Sequence, residues 1–350
     1  MKEKLVFIRK KVRKGPYIAF YIYLLIALLS VFTVASYTWF TLSWSPQVNG
    51  MNVYITSNSG LELSATPDAE GWSNQLDIFS TRELKKFANS QERPALRQAT
   101  WSDQEQCFYG PLYGYDGRLM HVTEKDYQNR EIISWYKLED LIHANSTAYS
   151  SYYIKATFYA RCGQPVDVVL AEPMIRDEQG TQGMGTYVVA DPVSPAGPET
   201  AVRLGFRMTY VDENGTELSE RGAMYVYEPN ADRHTDGSMD PIKTYSIDEF
   251  LHPEEAAGQA RDWLLVENDR LIQQKFSRQD DPGEFLQNPT LFSLKSGEIV
   301  KVELYVWLEG QDVDCSNAMS DGVTTTKILA NIQFTGSSES QSGLVPIPQE

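Results

Sequence analysis

Between Lys14 and Glu62 the chain carries no charged side chain, and the apolar heart of that interval runs from Tyr17 to Phe40. A helix of that length spans a hydrocarbon layer of roughly 30 Å, whereas the apolar core of a cleaved secretory signal covers only about 7–15 residues. Length therefore favours a retained transmembrane anchor over residues 17–40. The aromatic residues agree, with Tyr17, Tyr21 and Tyr23 near one end and Tyr37, Trp39 and Phe40 near the other. Amphipathic rings settle in this way at the two headgroup layers. Seven basic residues against Glu3 give the first fourteen positions a charge of +6, which places segment 1–16 in the cytoplasm and everything after Phe40 outside. The small residues of Val34-Ala35-Ser36 have the spacing a signal peptidase accepts, so cleavage after Ala35 or Ser36, releasing a secreted chain, is the competing expectation. Export is common to both.

The remainder of the chain carries −22 against −16 for the whole. A body that acidic repels phosphate backbones, which argues against nucleic acid as a partner. The partners this leaves are membrane lipid around the N-terminal helix, cell-envelope or matrix proteins, and further copies of the chain. Cys107, Cys162 and Cys315 form no disulfide framework and no C-x-x-C pair. One bridge plus a buried thiol and three buried thiols both remain open.

After a short connector, 41–50, the body from 51 to 336 reads as strands. Met-Asn-Val-Tyr-Ile-Thr, a polar turn and Leu-Glu-Leu-Ser have the pattern of a β-hairpin. Further strands are expected over 151–162, 166–175, 201–211 and 222–228. In the third, Val202, Leu204, Phe206 and Met208 alternate with Arg203, Gly205, Arg207 and Thr209, which predicts one buried and one wet face. Val300, Val302, Leu304, Val306 and Leu308 should point inward, as should Ile328, Ala330, Ile332 and Phe334. Many alternating strands with long connections indicate an all-β fold, a β-sandwich of Greek-key or jelly-roll type. Small helical insertions are expected at 81–90 and 137–146, and a short helix followed by a hairpin around Asn268-Asp269. The Pro/Ser/Gly-rich tail, 337–350, is expected to be disordered.

The loop that follows Trp307 is the best candidate for chemistry. Glu309, Asp312 and Asp314 supply closely spaced oxygens of the kind calcium takes, although the spacing lacks the glycine and distal glutamate of a helix-loop-helix site. Asp also concentrates in turns because its side chain bonds nearby backbone. His121, His143, His234 and His252 are scattered, with no zinc-ligand spacing. The glycines of 180–185 precede a strand-like run rather than a helix that could hold phosphate. Trp101, Trp135, Tyr136, Tyr152, Tyr153 and Trp307 could line a carbohydrate or partner surface, or fill the core.

The basic start, the long apolar segment and the "ASYTWF" run leading into β pattern resemble the N-terminus of exported Gram-positive surface proteins, among them the camelysin and TasA-type matrix proteins. The segment "VELYVWLEGQDVDC", 302–315, is similar to one in exported clostridial proteins without assigned chemistry. The resemblance implies a membrane-anchored surface protein with a structural, adhesive or matrix-forming role. It also admits a metal-dependent hydrolase of the camelysin kind, and the acidic loop or the aromatics admit a calcium- or carbohydrate-binding module. No catalytic signature is present.

Overall fold

The computed structural model describes residues 22–26, 47–48, 51–58, 60–68, 70–88, 96–111, 122–125, 131–133, 135–138, 152–173, 185–191, 198–231, 261–267, 270–278, 281–287, 290–312, 314–315 and 327–337. The chain divides into two units, 1–44 and 45–350.

Of the first unit only 22–26 is described. It is helical, and all five of its apolar side chains are exposed, Tyr23 the most at 79%. Among the described residues no helix is long and apolar enough to cross a membrane. Most of the expected anchor, including Tyr17, Tyr21, Tyr37, Trp39, Phe40 and the Ala35-Ser36 bond, lies outside the described residues.

The second unit is mostly β, with two large mixed sheets of twelve and six strands and a separate pair, Val122–Lys125 with Glu131–Ile133. The larger sheet is built around Ile299–Glu309. Val202–Val211 pairs antiparallel along one side of it and Tyr153–Cys162 along the other. Beyond the start of Tyr153–Cys162, the parallel strand Leu96–Ser102 takes over, setting Leu308 against Gln98 and Glu309 against Ala99. The sheet continues in one direction through Tyr225–Glu228, and in the other through Cys107–Pro111 to Trp135–Lys137. The smaller sheet centres on Lys327–Ser337, with Met51–Ser57 parallel on one side and Val166–Leu170 and Tyr187–Asp191 antiparallel on the other.

Alternation decides which side chains meet. The expected inward sets on Ile299–Glu309 and on Lys327–Ser337 are both fully buried, and they share one apolar cluster. Phe334 of the smaller sheet lies 5.9 Å, centroid to centroid, from both Phe158 and Phe206 of the larger one. The two sheets thus pack face to face in a sandwich-like manner, with dispersion and apolar burial holding them together.

Two expectations are corrected here. Met51–Ser57 and Leu61–Ser64 are strands but not a hairpin, because they join different sheets. Val53, Ile55, Leu61 and Leu63 must all reach the same core. Gly60, at φ +76°, together with a bond from Asn58 N to Phe334 O (3.2 Å), carries the chain across that core instead of back along itself. The second correction concerns Val202–Val211, whose polar face is as buried as its apolar one, with Arg203 0% and Arg207 6% exposed. A second cluster containing Trp101, Phe108, Tyr153, Tyr305 and Trp307 covers that face.

The remaining elements follow the sequence in part. The insertion at 81–90 shortens to a 3-10 turn at Lys85–Phe87, and 137–146 lies almost wholly outside the described residues. The later hairpin is present as Arg261–Glu267 with Arg270–Arg278. Cys107, Cys162 and Cys315 form no disulfide with one another.

Gly205 shows how tightly the second layer sits. A Cβ there would lie 2.5 Å from Met224 Sδ and 3.0 Å from the Trp307 ring. Gly205→Val is therefore expected to cost about 1–3 kcal/mol by overpacking, read as a lower urea midpoint; an unchanged midpoint would show that the layer yields freely.

Candidate functional site

Ile299–Glu309 leaves the sheet through a turn that closes on its own backbone. Asp312 N donates to Glu309 O (3.1 Å), Cys315 N donates to Asp312 O (3.0 Å), and Gly310 N donates to Ala99 O (2.8 Å). Asp314 N donates to Asp312 Oδ1 (2.8 Å), and Gln311 N donates to Glu309 Oε1 (3.0 Å). Acidic side chains commonly stabilise turns by accepting from local amides in this way. The Trp307 indole N–H, two residues back on the same face, donates to Glu309 Oε2 (2.9 Å).

The structure does bring Glu309, Asp312 and Asp314 together, all buried. The cation that Asp312 meets is the protein's own. Arg203 stands opposite Trp307 in register, which aims its side chain at the turn. Its Nη2 is 2.5 Å from Asp312 Oδ2 and 2.8 Å from Glu228 Oε1, and its Nη1 donates to Thr200 O (2.9 Å). Glu228 arrives from the end of the neighbouring strand Tyr225–Glu228. Among the described residues no group of three or more His, Cys, Asp or Glu side chains is placed to hold a metal ion. Arg203, Asp312 and Glu228 thus form an internal ion cluster.

Burial sets the protonation chemistry. It pulls Arg203 down, but Glu228, Asp312 and Glu309 outweigh it and raise the guanidinium above its ordinary range, so Arg203 stays charged. Burial dominates at Glu309 and pushes it up to about 7, against the indole, the Gln311 amide, Arg203 and Thr100, which all favour the anion. Burial first, and then the Asp312 and Glu309 carboxylates, hold the Cys315 thiol well above its usual value, so it stays protonated and a poor nucleophile.

The other sequence candidates are placed as follows. Trp101, Tyr152, Tyr153 and Trp307 are buried core residues, whereas Tyr136 is exposed. The four histidines, and 180–185 apart from Gly185, lie outside the described residues. Sequence reasoning missed Arg203 and Glu228, for which the only signal was an arginine at a strand position whose partner strand could not be read. A cleft of about 400 Å³ beside the paired strands Val166–Leu170 and Phe292–Leu294 is lined by Asp167, Tyr210 and Ser293 among others. There the Tyr210 hydroxyl donates to Ser293 O (2.6 Å) and Ser293 Oγ donates to Asp167 Oδ1 (2.5 Å).

Compared with family models, curated proteins and solved structures, the chain matches none.

Proposed function

We propose that the chain is an exported surface protein, held at the membrane by a helix over 17–40, whose acidic β-sandwich of Greek-key or jelly-roll type has a structural, adhesive or matrix-forming role. The observation that carries this reading is the run of five exposed apolar helical side chains at 22–26, inside an uncharged interval that follows a +6 start and precedes a −22 body. Exposed leucine and isoleucine on a helix call for a nonpolar surrounding, and lipid provides one. The charge step across that helix sets its orientation. The two broad sheets, the larger one tied together by the Arg203 cluster, suit a rigid body that presents a surface to envelope or matrix proteins or to other copies of itself.

Intact-mass and N-terminal analysis of membrane and medium fractions, with protease added to whole cells, tests the reading. Full-length chain in the membrane whose body is removed by external protease is the expected outcome. A chain beginning near Tyr37 in the medium would make it a released matrix component. Full-length protein in the cytosol, protected from protease, would overturn it.

A further inference from the structure

The buried polar face of Val202–Val211 holds a second cationic group, separate from the Arg203 cluster. At its centre Glu303 meets Lys155, whose Nζ lies 2.6 Å from Oε1. Glu303 also meets Arg221, whose Nε donates to Oε2 (2.6 Å) and whose Nη2 donates to the Tyr305 hydroxyl (3.0 Å). Arg207 stands directly opposite Glu303 in register and is a third cation for that single carboxylate. It is only 6% exposed. Among the described residues it forms no salt bridge: Nε donates to Gly222 O (3.2 Å), Nη2 donates to Gln106 Oε1 (2.9 Å), and the guanidinium lies 5.7 Å from the Trp101 ring centroid.

A buried guanidinium without a counter-anion is costly, because backbone and amide oxygens offset only part of its lost hydration. Burial first, then the charge of Arg221, lowers the Arg207 pKa in spite of Tyr305, Glu303 and Asp103. The residue that makes this contact has an uncommon backbone conformation. Gln106, at φ +54°, is the one non-glycine residue with positive φ among the described residues, and its side chain bridges Arg207 to Asp103 O (2.5 Å). In the same turn Gln104 Nε2 is buried without a hydrogen-bond partner among the described residues, a further donor lacking an acceptor. The group reaches solvent through Arg221, whose side chain is 41% exposed.

We propose that Arg207 and Arg221, beside the Trp101 ring, bind a small oxyanion, a carboxylate or phosphate group, either as a free ion or as the end group of a larger ligand. Planar guanidinium forks match the paired oxygens of both groups, and charge-assisted bonds to them are the strong ones. The acidic body repels anions at long range, so recognition rests on these contacts.

The test is calorimetric titration of the full-length chain in detergent with sodium phosphate and with sodium acetate, each against chloride at matched ionic strength. Saturable binding at one site per chain is expected, abolished in Arg207→Gln and weakened about tenfold or more in Arg221→Gln. Arg161→Gln, remote from the group and stacked on Trp72, should bind as the wild type does. Because Arg207→Gln alters a buried position, Arg221→Gln at the rim keeps the test decisive if the first variant does not fold. Preference for phosphate assigns a phosphoryl source and preference for acetate a carboxylate source, and both bear the proposal out. No binding of either anion above the chloride control, or undiminished binding by a folded Arg221→Gln, would overturn it.

Discussion

Arg203→Met is expected to lower the stability of the body by about 3–5 kcal/mol, the range for stripping one partner from a buried ion cluster. Arg203 is the shared counter-charge of Glu228 and Asp312, at 2.8 and 2.5 Å, and all three side chains are sealed from solvent. Methionine fills much of the same volume, so the loss is electrostatic and not a cavity effect. Two carboxylates would be left to be buried bare or to take up protons at a cost. A second variant separates charge from shape: Arg203→Met with Glu228→Gln and Asp312→Asn removes the orphaned charges and should recover most of the loss, since neutral replacements of buried ion clusters are often well tolerated. Urea unfolding followed by tryptophan fluorescence reads both. If Arg203→Met alone shifts stability by less than about 1 kcal/mol, the guanidinium is not the counter-charge that the geometry makes it.

The cluster also shows where sequence reading succeeds and where it stops. Val300 to Leu308 and Ile328 to Phe334 were legible because a period of two survives in the letters whatever the partner strand is. Leu61 and Leu63 were legible as inward-facing, but their sheet was not, since alternation says nothing about which strand lies alongside. Arg203 and Arg207 read as a wet face because charged residues usually are wet; only the tertiary pairing brings Glu228, Asp312 and the aromatic layer over them. The acidic turn after Trp307 was visible as a constellation, yet its cation came from a strand about a hundred residues earlier in the chain. Local spacing can nominate such oxygens, but what they hold is settled by long-range register.

Glu309 should make stability fall as pH rises toward neutrality. The carboxyl is fully buried and pushed up to about 7, above its ordinary 4.5, so the folded chain keeps a proton there that the unfolded chain has lost. Between those two values the folded state binds the extra proton, and each step up in pH works against it. The contribution is fully present below about pH 4.5, declines through the interval and is gone above about 7; its size is on the order of 3 kcal/mol from the spacing of the two values. The groups facing Glu309 hold its geometry on either side of the transition: Arg203 from the adjacent strand, Thr100 from the parallel one, and Trp307 and the Gln311 amide from its own chain segment. Glu309→Gln carries no titratable proton and should remove this component while losing about 1 kcal/mol at low pH, because the indole and the Gln311 amide bond to different carboxyl oxygens and one of these positions becomes an NH2 group that cannot accept. The quantity to measure is the wild-type-minus-variant difference in unfolding free energy from pH 4.5 to 8, in which other titrating groups cancel. A difference that stays level across that range would mean that Glu309 is ionised throughout and that Arg203 faces three carboxylates instead of two.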